Sequence, residues 1–360
     1  MRPANTAGTE LLDDRPPAPF SVLRFTVGLD VEGGLRNAGG DLPDVRLFNE
    51  AGEFLGISAD PGEIGDGSTA EIRVKHDKNN GQQAAYALFS ANDNAICITS
   101  LSITWPNGDQ YGWVGNWGRA CGAPWYFSNV FLQGSDFKPD CMWIDGNGDQ
   151  PTTGFQVHWP EFTNKGEDAS EALKGKSRDY FCNAGPPFKL YTNPDPRSIT
   201  YWLPRNSDRR RQRAIAVSEE APPRKTDIHD RRRRRRRLRH VQGENAILNS
   251  NGTTGASLVT PPYRFADLLV LDASSEHSAA VLCGSATSAG PDFANGAERL
   301  FCRMSDKTLW PFCDATRRIT DNCFDTGLQQ LVIGAKAARD KGYGRVISWG
   351  GDDNGDEGDR

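Results

Sequence analysis

The run Asp145-Gly146-Asn147-Gly148-Asp149 places three side-chain oxygen donors at alternating positions, as the opening of a calcium loop does. The EF-hand pattern then breaks. Gln150 stands where its glycine is required, and Gln156 where its bidentate glutamate belongs. A Gly-Asn-Gly turn, with the aspartates bonded to nearby amides, explains the same residues and is the favoured reading. Calcium on Asp145, Asn147 and Asp149 is the one cofactor candidate; no other cofactor is expected.

Six of the nine tryptophans fall between Trp105 and Trp159. Indoles exposed beside Asp and Asn can stack on sugar rings; buried, they fill a core. The core reading is favoured for most. Trp113, Trp117 and Trp125 lie among glycines and are the candidates for exposure and ligand binding, with carbohydrate the candidate partner. His158 stands beside Trp159 and near Glu161, a pairing that can move protons. A structural histidine is the favoured reading, because no nucleophile motif accompanies it. No catalytic residue is assigned, and the chain is read as leaning away from an enzyme.

Eight cysteines divide evenly about an arginine-rich stretch. Cys97, Cys121, Cys141 and Cys182 precede it; Cys283, Cys302, Cys313 and Cys323 follow. Even sets predict disulfides confined to each half, with connectivity open. No C-x-x-C occurs and the five histidines are scattered, so zinc is disfavoured. Disulfides point to an oxidising, extracellular setting. Against that, Met1 to Asp14 lacks the apolar core of a signal peptide. No stretch approaches the length of a membrane helix.

The net charge of −5 conceals a strong asymmetry. Residues 203–240 hold 15 Arg and Lys against 5 Asp and Glu, leaving 27 basic and 42 acidic residues elsewhere. So dense a like charge with little apolar surface predicts a disordered linker. Arg210, Arg211, Arg231 and Arg237 mark dibasic processing sites, and Asn251-Gly252-Thr253 is a glycosylation sequon. A nuclear address is the alternative for the arginine run. Nucleic-acid binding is disfavoured, since no aromatics interleave with the arginines.

The elements that must carry these residues are mostly strands. Thr69 to Lys75 alternates apolar and polar residues. In Ala95 to Trp105, strict alternation puts Cys97, Thr99, Leu101, Ile103 and Trp105 on one face, and Ile96 and Ile98 on the other. Many short strands punctuated by Gly, Asn, Asp and Pro predict a mainly β chain with an N-terminal β-sandwich or jelly-roll-like domain. The later half reads as small and α+β. Ser275 to Leu282 is expected to be a helix capped by Ser274 or Ser275, Leu328 to Arg339 a second helix, and Leu300 to Trp310 a hairpin. The expected divisions are 1–19 disordered, 20–203 sandwich, 204–262 linker, 263–349 the smaller domain and 350–360 an acidic tail.

Two blocks carry a resemblance. One runs from Ile103-Thr104-Trp105-Pro106 through Gly112 to Gly118 and on to Trp143-Ile144-Asp145 and Gly154 to Pro160. The other holds Cys283, Thr287-Ser288, Gly290 to Phe293, Glu298, Phe301 to Met304, Trp310-Pro311 and Cys313. Together they resemble uncharacterised secreted proteins of filamentous ascomycete fungi. The resemblance implies an extracellular protein and brings no activity or catalytic residue. The functional expectation is an extracellular binding or structural module, with a carbohydrate-active protein, lectin-like or hydrolytic, as the alternative.

Overall fold

Thr69–Lys75 shows in miniature how the first half is built. Ile72 and Val74 are buried while Thr69, Glu71, Arg73 and Lys75 face water, so the alternation in sequence becomes one dry and one wet face. A computed structural model describes residues 20–28, 38–77, 81–162, 176–203, 265–334 and 342–350, with 214–217 and 336–337 as backbone. Along the chain come β1 (Phe20–Val27), β2 (Gly40–Asp41), β3 (Asp44–Phe48), β4 (Phe54–Ser58), β5 (Glu63–Ile64), β6 (Thr69–Lys75) and β7 (Tyr86–Ser90). Then follow β8 (Ile96–Thr104), β9 (Gln110–Val114), β10 (Trp125–Phe127), β11 (Asp140–Ile144), β12 (Gly154–His158), β13 (Phe188–Tyr191), β14 (Ile199–Trp202) and β15 (Ala214–Val217).

Two antiparallel sheets result. One has the order β10-β11-β8-β1-β6, with β9 also paired to β8; the other runs β13-β12-β7-β3-β4. They pack face to face through one apolar cluster, in which Phe25 of the first sheet meets Phe89 of the second edge-on, 5.6 Å between ring centres. Both sheets are antiparallel, so the mainly β expectation holds. Within the span read as linker, β15 pairs with β14.

The expected alternation along β8 does not survive. The register against β1 slips between Thr26, opposite Ser100, and Val27, opposite Ile98. Thr99 is the extra residue of a β-bulge, and one inserted residue exchanges the faces. Ile96 and Ile98 therefore join Leu101 and Ile103 inside the sandwich, whereas Cys97 turns to the opposite side and enters a second cluster.

The second half adds β16 (Leu268–Asp272), β17 (Asp292–Asn295), β18 (Leu300–Arg303), β19 (Thr308–Pro311), β20 (Cys323–Asp325), β21 (Gln330–Ile333), β22 (Lys336–Ala337) and β23 (Arg345–Trp349). Its main sheet has the order β19-β18-β17-β16-β23, parallel about β16 and antiparallel beyond β17. The hairpin expected over Leu300 to Trp310 is β18 and β19. Both helix expectations need correction. The first helix is Ala279–Gly284, capped by Ser278 and not by Ser274 or Ser275; the Ser278 hydroxyl accepts the Val281 N–H at 3.1 Å. Residues 273–277 are instead held in a turn by Asp272, whose carboxylate accepts the Ser274 N–H and contacts the His277 ring. Among the described residues of the span Leu328 to Arg339 there is no helix. There Gly334, at φ +61°, turns β21 back on β22, and Leu331 packs with Phe301 and Phe324.

The four disulfides are Cys97–Cys141, Cys121–Cys182, Cys283–Cys302 and Cys313–Cys323, all within halves as the cysteine count predicts. The halves are nonetheless not separate bodies. One buried cluster joins Cys97, Trp125 and Trp143 to Phe265, Phe293 and Trp349. Backbone bonds link Trp125 N–H to Thr287 O and Ala289 N–H to Trp125 O, and Gly290 lies under the Tyr126 ring. A Cβ at Gly290 would come within 2.2 Å of that ring, so only glycine permits the approach.

Candidate functional site: a groove on the outer sheet face

The bulge at Thr99 divides the outward face of the first sheet into two regions. Toward Cys97 the face is covered by the second half. Beyond the bulge, Ser100 and Ser102 point outward uncovered. The strand registers set two rows across four strands: Thr69, Thr26, Ser100 and Val114, and beside it Glu71, Arg24, Ser102 and Gly112. Small side chains dominate these rows, so the floor is recessed. The segment Val130–Gln133 and the Trp117, Glu161 and Phe162 side chains stand above it. The groove, open to solvent, has a volume of about 690 Å³.

Its chemistry is mixed. The Thr26 and Thr69 hydroxyls lie 3.1 Å apart. Phe131, 56% exposed, presents an aromatic ring at the rim, with the Lys138 ammonium 4.6 Å from its centre. Lys138 also pairs with Glu276 at 2.7 Å, which ties this segment to the second half. The two charged residues lining the groove both have counter-ions: Arg24 pairs with Glu71, and Glu161 with Lys176.

Glu161 leads from the groove into a buried polar network. Its carboxylate accepts hydrogen bonds from the Tyr180 hydroxyl at 2.7 Å and the Trp202 indole at 3.3 Å. His158 Nδ1 lies 3.5 Å from Glu161, its Nε2 lies 2.8 Å from Glu50, and its ring stacks on Tyr86. Burial opposes a charged imidazole, but the two carboxylates outweigh it and raise the His158 pKa. Burial likewise acts to raise the pKa of Glu161, yet His158, Lys176 and Tyr180 bring it down to about 2. This network can hold a proton on His158; the described contacts give it an ordering role beneath the rim.

The tryptophans expected to be exposed sit otherwise. Trp113 is 2% exposed and stacks on Phe155 and Phe188 within the sandwich. Trp125 is fully buried between the halves, its indole N–H on Ser285 and Arg119 over its ring. Neither can form an exposed platform, because glycine-rich surroundings let backbone pack close to an indole as readily as they leave it bare. Trp117 is partly buried against Phe162 and Phe181, with its edge on the groove.

The Asp145 loop takes the turn geometry. One carboxylate oxygen, Oδ2, accepts N–H groups from Asn147, Gly148, Asp149 and Gln150. The Asn147 side-chain oxygen accepts the Asp149 N–H, and its amide donates to Asp93 O. These oxygens are turned onto amide donors, the arrangement of an Asx turn. Among the described residues no group of three or more His, Cys, Asp or Glu converges as a metal site. Burial raises the Asp145 pKa despite the amide bonds. Arg210, Arg211, Arg231, Arg237 and Asn251 lie outside the described residues.

Sequence reasoning missed Phe131, Ser100, Ser102 and Gly112 as a set. The available signal was the outward phase of Ser100-Leu101-Ser102 on an otherwise apolar strand. No family model matches this chain, and no curated protein does either. The fold and groove define it as a disulfide-braced, mainly β protein with a recess on the outer face of its first sheet. Among the described residues no helix is long and apolar enough to cross a membrane.

Proposed function

We propose that this chain is an extracellular binding protein of the ascomycete fungal type, and that the groove over Thr26, Ser100, Ser102 and Gly112 is its ligand face. The supporting observation is the recess itself. It is ligand-sized, mixed in polarity and carried on strands whose backbone groups are already paired, so its shape is set before a ligand arrives. Four disulfides suit an oxidising compartment and weigh against the nuclear alternative.

The groove is tested by filling it. At Gly112 an added Cβ meets only Leu101 O at 3.9 Å, so Gly112→Trp leaves the strand intact and occupies the recess. A panel of oligosaccharides, peptides and small metabolites is screened against wild-type and Gly112→Trp protein by calorimetry. The expected result is a ligand class that binds wild type and is lost in the variant. Ligands that bind both proteins equally would place the binding face elsewhere. Compartment is tested separately by the intact mass of protein from culture medium, with and without reductant. A gain of two hydrogens per bridge is expected only after reduction.

A further inference from the structure

We infer that the groove takes a neutral oligosaccharide, laid along the hydroxyl floor with one sugar ring against Phe131; this rests on the groove being the ligand face. Three observations narrow the chemistry. First, the charges are spoken for. Arg24 is 3.4 Å from Glu71, which Arg73 also contacts at 3.0 Å, and Glu161 is held by Lys176, so each charged group of the lining has a counter-ion. Second, the floor is a field of hydroxyls from Thr26, Thr69, Ser100 and Ser102, bordered by Gln110 and Gln133. A lipid chain placed there would strip water from these groups and return no hydrogen bonds. An extended peptide gains affinity by adding to a strand edge. The floor is instead the face of four strands paired in the order β6-β1-β8-β9, with open edges only at β6 and β9.

Third, the rim offers an exposed aromatic. Phe131 is 56% exposed although it lies in a segment braced by Lys138 and by the Leu132 N–H to Phe137 O bond. A sugar has both kinds of surface: hydroxyls around its edge and an apolar C–H face that an aromatic ring covers. The recess matches that two-sided character, with hydrogen-bonding groups below and a ring at the side.

The experiment measures binding of laminarihexaose, cellohexaose and chitohexaose by calorimetry to wild-type, Phe131→Ala and Gly112→Trp protein. Melting temperatures are recorded alongside. At least one hexasaccharide is expected to bind wild type, about tenfold more weakly to Phe131→Ala and not detectably to Gly112→Trp, with all three proteins melting together. Raising salt should leave the affinity unchanged, because no ion pair forms. If only peptides or anionic ligands bind in a Gly112-dependent way, the glycan inference falls and the groove remains the ligand face. If no ligand of any class depends on Gly112, both fall. Glycan binding that is indifferent to Phe131 and Gly112 would overturn the site while sparing the ligand.

Discussion

Trp113 and Phe131 bound what aromatic residues do in this molecule. Trp113 is stacked on two phenylalanines in the interior, so Trp113→Ala should cost about 3–5 kcal/mol in denaturant unfolding. Phe131→Ala removes an exposed ring and should stay within about 0.5 kcal/mol of wild type. Equal losses at both positions would mean that Phe131 is part of the core. His158 makes a separate prediction through pH. Its folded pKa lies above 6.5, so its contribution is complete below that value and is lost as pH rises through the folded pKa. Glu161 is held at about 2 against an ordinary 4.5, so its contribution is complete above 4.5 and fades as pH falls toward 2. The network thus supports the fold best between 4.5 and 6.5. In His158→Gln the alkaline decline of the melting temperature should flatten, and the acid limb should shrink without vanishing, because Lys176 and Tyr180 still hold Glu161 low. Parallel curves for the two proteins above about pH 6 would show that the imidazolium carries none of it.

At the scale of elements, short pieces of secondary structure depend on cross-links and on neighbours. The helices Asn116–Ala120 and Arg178–Asn183 have five and six residues, too few to persist alone. Cys121–Cys182 joins them across 61 positions, whereas Cys313–Cys323 spans only 10. Loop-closure entropy makes the first bridge worth about 4 kcal/mol and the second about 3 kcal/mol. Urea unfolding of the two paired Cys→Ala variants should rank them in that order; the reverse ranking would show that local packing outweighs loop length. The bulge in β8 acts at the same scale. One added residue moves Cys97 under the second half and leaves Ser100 and Ser102 free to floor the groove.

The whole molecule is held together by contacts between halves that no disulfide crosses. Trp125, Trp143 and Phe293 share one buried cluster, and both indole N–H groups bond across the junction, to Ser285 and to Ala289 O. The dense basic residues of 203–240 offer trypsin its most numerous targets. Brief digestion should therefore cut there first. The two disulfide-bearing products should then coelute in native buffer without reductant and separate only in denaturant. Separation in native buffer would mean that the shared cluster is too weak to hold them. First cuts at Lys75 or Lys307 would mean that the basic segment is shielded.

Part of what depends on local chemistry was legible in the residues alone, although the cap at Ser278 and the turn at Gly334 were not. Alternation marked β6, the even cysteine sets foretold bridges within halves, and Asp145 with its glycines read as a turn. Each of these depends on neighbours a few positions away or on simple counting. What only the tertiary structure decided was which face of each strand would be covered, and by what. The slip at Thr99 is invisible in an apolar run, since Ile96, Ile98, Leu101 and Ile103 fit either phase. The Trp125 indole bonds to Ser285, 160 positions away, and nothing in its glycine-rich surroundings reveals that partner. The groove follows from the same fact. Ser100 and Ser102 are ordinary polar residues of a strand until four registers align them and a distant half covers one end of the sheet and leaves the other open.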